Sequence, residues 1–454
     1  MSFTAINPAT EEVIAQYRAH SSEQIDTALT AASTAFASWS EVPVEERALL
    51  MERGAELLEG EIPVIAQLMT SEMGKTFNAA KGEAAKSAMA MRYYAEHASE
   101  ILAPESILTR GSRSGVRYEP IGAVLAIMPW NFPLWQVLRF AAPSIMAGNV
   151  AVVKHAPNVP GCARYIEELF TRAGFPRGVY TNLFAHVEEV AAIIADDRIA
   201  GVTLTGSEQA GRSVAELAGR HLKKCVLELG GSDAFIVGAD ADLDLTVPMA
   251  VTARVQNNGQ ACVAAKRFIV LAARADEFIE RFSDAMANVP TGDPMDPEIV
   301  MGPLVSKAQR DLLAGQVSSS IAAGAVARTG GAPKEGRGYY YPATVLTNVP
   351  TDSRAGCEEL FGPVAVVHVV EDLGAALDLA NETPWGLGGS IWSSDQDEID
   401  AAIAGLDVGM VFANAIVASM PELPFGGTKN SGIGRELSYY GVREFTNVKS
   451  FFVA

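Results

Sequence analysis

The sequence predicts an α/β protein with more than one domain, and three observations carry that prediction. A chain of 454 residues exceeds the size at which one hydrophobic core keeps growing, and its 49% hydrophobic content is ample for several cores. From Ala123 onward, short apolar segments alternate with amphipathic helical ones, the order expected of parallel βαβ units. A second alternation of the same kind runs from Asp233 to about Asn414.

Taken in order, Ser21-Ser-Glu-Gln24 reads as a capping box, and Ile25, Ala28, Ala32, Phe36 and Trp39 then recur roughly at helical spacing. Helix is expected to continue through about Lys75 and on to Ile101. Strands are expected at 123–129, 150–155, 180–184, 201–205 and 224–229, then at 267–273, 364–370 and 409–414. Residues 106–118 alternate around the turn Gly-Ser-Arg-Ser-Gly115 and predict a hairpin, and 446–454 predict a terminal strand. Both leave strand edges that proteins normally cover. The division that follows puts 1–103 and 120–230 in a dinucleotide-binding domain, 231–442 in a second α/β domain, and 104–119 with 443–454 in a small β element.

Composition excludes several classes of function. A net charge of −19 repels nucleic acid and anionic membranes. The most apolar run, 140–153, is broken by Pro143, Ser144, Gly148 and Asn149, and the first residues have no basic stretch ahead of an apolar core. A cytoplasmic protein is expected. Cys162, Cys225, Cys262 and Cys357 lie without CxxC or His spacing, so neither a metal site nor a disulfide framework is expected.

One cysteine stands apart. Cys262 follows Gln256-Asn-Asn-Gly-Gln-Ala in a polar, glycine-broken stretch, and Glu228 ends an apolar segment ahead of Gly230-Gly231. A thiol and a possible base make a nucleophilic-catalysis hypothesis. The fingerprint G-x-G-x-x-G is absent, and the nearest glycine pattern is Gly206-Ser-Glu-Gln-Ala-Gly211, where a helix N-terminus would favour a phosphate.

Further motifs read Met128-Pro-Trp-Asn131-Phe-Pro-Leu-Trp135, Lys154, Thr205-Gly-Ser207, Glu358-Glu359-Leu-Phe361-Gly-Pro363 and Pro424-Phe-Gly-Gly427 with Ser431-Gly432. In this order and at these spacings the chain resembles the aldehyde dehydrogenase superfamily from about Asn7-Pro8 to its last strand. That resemblance implies the superfamily's fold: a Rossmann-like cofactor domain, an α/β catalytic domain and a small β oligomerisation element, assembled as a homodimer or homotetramer. It makes Cys262 the nucleophile, Glu228 the base that releases a thioester, and Asn131 with the Cys262 N–H the oxyanion hole.

For the cofactor, NAD or NADP, it implies contacts from Ile127, Pro129, Trp130, Lys154, Thr205, Gly206, Ser207, Leu229, Glu359 and Phe361. Two positions depart from the family's pattern. Pro157 stands where NAD-preferring relatives carry a glutamate, and Asn182-Leu-Phe-Ala-His186 replaces a glycine-rich segment.

Within the superfamily, the short chain, Lys154-His-Ala-Pro157 and the set Trp135, Arg139 and Ser419 look most like bacterial succinate-semialdehyde dehydrogenases. If Pro133 starts a helix, Trp135 and Arg139 share a face one turn apart, and the guanidinium reaches back toward a carboxylate a few carbons from an aldehyde at Cys262. The alternatives are a broader aldehyde dehydrogenase, acting on glutarate semialdehyde or neutral aldehydes, and a non-catalytic protein that kept the fold.

Overall fold

The computed structural model describes residues 2–454. Ser21 caps the helix Ser22–Trp39, and the full capping box with Gln24 is present. Three more helices, Val44–Gly60, Ile62–Met73 and Phe77–Ile101, follow before the first long strand. Small residues make the last of these a packing element: Ala80, Ala84, Ala88 and Ala98 are buried along it, so neighbouring helices approach closely.

Five parallel strands form the body of the first sheet: Ala123–Met128, Val150–His155, Tyr180–Asn182, Ile199–Thr205 and Lys224–Glu228. Helices cover both faces, which is why Val150–His155 is buried at every position and carries no polar alternation. The short strand Gly432–Ile433 adds antiparallel to Lys224–Glu228 at one edge, pairing Gly432 with Glu228. A segment late in the chain is thereby tied to the first sheet beside Glu228.

A second sheet of seven strands contains Ala234–Val237, Arg267–Leu271, Val364–Val370, Gly388–Trp392 and Met410–Ala413 in parallel pairings. Separate apolar clusters lie around Phe268 and Phe278, and around Ile269 and Ile391. The expected strands are therefore present, with ends shifted by a few residues.

The terminal strand Thr446–Val453 pairs antiparallel along the whole of Arg113–Pro120, which also pairs with Glu105–Ser106. What stays exposed is the far edge of this three-stranded sheet, where Val448 and Phe452 face outward. The helix after Asn131 begins at Trp135, not Pro133. Its first turn is fixed from outside, because the Glu83 carboxylate accepts from the Leu134 and Trp135 N–H groups at 2.8 and 2.9 Å.

Candidate active site

Each side chain of the candidate site is placed by a local feature of the backbone. Ahead of Cys262, Asn257 and Asn258 adopt left-handed backbone conformations (φ 51° and 59°), which asparagine tolerates better than most residues. Their side chains hold the turn: Asn257 Nδ2 donates to the Asn131 carbonyl at 2.7 Å, and Asn258 Nδ2 donates to the carbonyls of Gly74 and Pro303. Behind the turn, Lys266 Nζ donates to the Cys262 carbonyl at 2.7 Å and to those of Ala261 and Ala264. The Cys262 N–H has no acceptor among the described residues. Asn131 spends one amide hydrogen on the Gln260 carbonyl at 2.9 Å and keeps a second.

Glu228 ends its strand with its carboxyl buried and no hydrogen-bond partner for either oxygen. It fits because position 426 is glycine: a Cβ there would lie 2.6 Å from Glu228 Oε1. A second glycine does the same for Glu359, whose carboxylate would be 2.2 Å from a Cβ at Gly230 and accepts from the Gly231 N–H at 3.2 Å. Phe361 meets the Trp130 ring edge to face at 5.8 Å. Ser207 caps the helix Glu208–Arg220, leaving the first N–H groups of that helix pointing outward.

These parts line one cleft of about 280 Å³: Pro129, Trp130, Asn131, Thr205, Gly206, Ser207, Glu228, Leu229, Cys262, Glu359 and Phe361, joined by Gln136, Gly230, Gln309 and Leu312. Two larger surface hollows, of about 710 and 820 Å³, have no cysteine in their walls. Volume alone would not have singled out this cleft.

The electrostatics favour the neutral forms of both Cys262 and Glu228 in this cleft. Burial pushes the Cys262 thiol up to about 11, although Arg139 and Lys266 pull the other way. Burial also raises Glu228 well above the carboxylate range, and the nearby Glu436 raises it further against the opposing pull of Arg139. A thiol acts as a nucleophile, and a carboxyl as a base, only after losing its proton.

Six of the predicted residues lie outside the cleft lining. Ile127 and Lys154 pair across neighbouring strands, and Pro157 is exposed just beyond Val150–His155. Burial lowers the Lys154 ammonium while Glu188 opposes the shift. Trp135 and Arg139 are buried on the helix Trp135–Met146. The Arg139 guanidinium is not free: it is ion-paired with Glu436, donates to Thr205 Oγ1 at 3.3 Å and lies 4.4 Å over the Phe425 ring. Ser419 borders a neighbouring hollow of about 190 Å³, and its hydroxyl accepts from Lys86 Nζ at 2.7 Å.

Sequence reasoning missed Glu436, Lys266 and Lys86. Lys266 follows Cys262 by four residues and was the most legible of the three. Glu436 and Lys86 carry no local motif, since only the fold brings Phe77–Ile101 and the segment after Gly432 to this place.

The chain matches the family described as "Aldehyde dehydrogenase family" over residues 1–451. It is 48% identical over 457 residues to succinate-semialdehyde dehydrogenase (NADP+) 1 of Mycobacterium tuberculosis H37Rv, covering 100% of both chains. The solved structure of Gox0499, studied for cofactor and substrate selection, superposes with a TM-score of 0.98 at 42% identity over 100% of each chain. A succinic semialdehyde dehydrogenase from Streptococcus pyogenes in complex with NADP+ gives a TM-score of 0.97 at 37% identity over 99% of each chain.

Proposed function

The chain belongs to the aldehyde dehydrogenase family, and within it we propose an enzyme that oxidises succinate semialdehyde to succinate with NADP+. The observation that carries this reading is the single cleft that gathers Cys262, Asn131, Glu228, Glu359 and Phe361 beside a capped helix N-terminus. The 48% identity to an enzyme named for that substrate and cofactor supports the finer choice.

The residues present fit a nicotinamide dinucleotide. The helix start at Gly206-Ser207 suits a pyrophosphate, Glu359 suits ribose hydroxyls, and the wall of Phe361 and Trp130 suits a planar ring. Ile127, Pro129, Lys154, Pro157, Thr205 and Leu229 belong to the same proposed contacts. When bound, the cofactor supplies the hydride acceptor.

Cys262, once deprotonated, adds to the aldehyde carbonyl. The remaining Asn131 N–H and the unpaired Cys262 N–H stabilise the oxygen that becomes negative, and one such donor is worth about 2.7–4 kcal/mol in comparable sites. Loss of hydride leaves an acyl group on sulfur. Glu228 then takes a proton from water as that water attacks the thioester. Asn131 and Glu228 therefore serve opposite halves of the cycle.

We place substrate recognition around Trp135, Arg139 and Ser419, with Arg139 acting through its field, since its guanidinium is already paired with Glu436. The first sheet with helices up to Ile101 is proposed as the cofactor domain, the second sheet as the catalytic domain, and the exposed edge Thr446–Val453 as a homodimer or homotetramer contact. Cytoplasmic residence agrees with an acidic chain in which no helix among the described residues is long and apolar enough to cross a membrane.

The test is the rate of reduced-cofactor formation with succinate semialdehyde, glutarate semialdehyde and butanal, each with NADP+ and NAD+. Succinate semialdehyde with NADP+ should give the highest kcat/KM. Equal values for butanal would leave only the broader aldehyde dehydrogenase reading.

A further inference from the structure

The turn that carries Cys262 is closed from behind by one buried ammonium. Lys266 Nζ lies 2.7 Å from the Cys262 carbonyl oxygen, 3.2 Å from that of Ala264 and 3.3 Å from that of Ala261, and it pairs with Glu359 Oε1 at 3.3 Å. Two buried arginines nearby are also spent on carbonyls: Arg254 on those of Gly259 and Val364, Arg267 on those of Ser232, Leu379 and Ala380. Of the three cations, it is Lys266 that reaches the peptide ending in the Cys262 N–H.

A trans peptide holds its C=O and N–H groups antiparallel. With the Ala261 oxygen turned to Lys266, the Cys262 N–H points the other way, and it has no acceptor among the described residues. The Ala264 N–H donates to the same Ala261 oxygen at 3.2 Å, so the orientation of this peptide is fixed from two sides. A cation at the carbonyl end also draws electron density from the N–H end, because linked hydrogen bonds polarise one another and do so most where water is excluded. The charge is felt at the sulfur as well: Lys266, with Arg139, opposes the effect of burial on the Cys262 thiol.

An oxyanion hole works through donors that are aimed before the charge develops. We propose that Lys266 is a positioning residue for the oxyanion hole: its ammonium fixes the Ala261–Cys262 peptide with the N–H toward the aldehyde oxygen and polarises that N–H. The oxygen is then stabilised as the carbon–sulfur bond forms and the carbonyl electron pair moves onto it. Glu359 holds the ammonium from the cofactor side of the cleft. This rests on the reading of Cys262 as nucleophile and Glu228 as base, and it extends the machinery to a residue outside the cleft lining.

Lys266→Met, Lys266→Gln and Lys266→Arg would each be combined with Glu228→Gln, the variant expected to accumulate the acyl-enzyme. Two readings are taken with succinate semialdehyde and NADP+: the rate of the reduced-cofactor burst, and the thioester carbonyl band by infrared difference spectroscopy with isotope-labelled aldehyde. Methionine removes the charge and the donor, and glutamine removes the charge alone. Both should slow the burst about tenfold and move the band to higher frequency, because a weaker oxyanion hole polarises the carbonyl less. Lys266→Arg should restore much of both. A band that stays in place without the charge, or a glutamine that restores both readings, would reduce Lys266 to a residue that closes the turn and overturn the proposal. No thioester band at all with Lys266 in place would overturn the Cys262 and Glu228 reading instead. Should Lys266→Met fail to fold, Lys266→Gln decides the question by the same two readings.

Discussion

The two ends of the cleft are built in different ways. On the side of Phe361, Glu359 and Gly206-Ser207, geometry comes from backbone: glycines that leave room for carboxylates, a capped helix start, and a turn held by asparagines in left-handed conformations. At the other end, just outside the cleft lining, Lys86, Arg139, Ser419 and Glu436 come from separate segments, with Arg139 ion-paired to Glu436 and Lys86 hydrogen-bonded to Ser419. Backbone geometry constrains residues adjacent in sequence, so it writes motifs. Charge pairing constrains residues adjacent only in space, so it does not. The first end can serve every member of a family, and the second can be retuned by single substitutions.

The largest expected effect falls where the two ends meet. Cys262→Ala should abolish turnover with every aldehyde while NADP+ still binds, checked by steady-state rates and by cofactor titration. Residual turnover would move the nucleophile elsewhere and remove the junction on which the comparison depends.

Next in size is Glu228→Gln. Acyl-enzyme hydrolysis should slow by roughly 10²–10⁴-fold and leave a burst of reduced cofactor. The native pH profile sharpens this. Cys262 and Glu228 both hold protons more tightly than usual, and both must lose them, so kcat/KM should climb as pH rises from about 7. Stability should run the other way. A carboxyl whose folded pKa is raised favours the fold while protonated, and that contribution is lost as pH rises through the folded value. Glu228→Gln should therefore flatten the decline of melting temperature with pH; an unchanged slope would mean that Glu228 is ionised in the resting protein.

How much of this was legible in the sequence follows the same division. Cys262, Glu228, Asn131, Glu359 and Phe361 stand in short glycine- or proline-marked motifs, and all five line the cleft. The strands were legible because apolar runs bounded by turn residues leave few other arrangements. The Arg139–Glu436 pair was not, because nothing near Glu436 says that Gly432–Ile433 will add to the edge of the first sheet. The pairing of Thr446–Val453 with Arg113–Pro120 was missed for a related reason: alternation identifies a strand without naming its partner.

Arg139→Ala tests the charge-built end directly and should cost less than either substitution above. It strips a buried carboxylate of its partner, so it should destabilise the fold by about 3–5 kcal/mol, read from denaturant or thermal unfolding. On the semialdehyde, where Arg139 acts through its field, it should lose about tenfold in kcat/KM, the equivalent of roughly 1.4 kcal/mol, with a smaller loss on butanal. If the loss is equal on both aldehydes, Arg139 belongs to the floor of the cleft rather than to substrate recognition, and the backbone-built and charge-built ends are less separate than drawn here.

The smallest effect is expected at Pro157, and it asks whether the backbone-built end can also be retuned by one side chain. Pro157 is exposed, three residues beyond Lys154, and offers no charge and no hydrogen bond to a ribose. A glutamate there would accept from ribose hydroxyls and repel a 2′-phosphate, while Lys154 alone favours the phosphate. Native enzyme should therefore use both cofactors, with NADP+ ahead. Pro157→Glu should move the ratio of kcat/KM values toward NAD+ by about tenfold, the equivalent of roughly 1.4 kcal/mol. The aldehyde preference should stay where it was, because that end of the cleft is untouched. A ratio that does not move would shift cofactor choice to the segment Asn182–His186 and to Glu188, the acidic group whose field reaches Lys154.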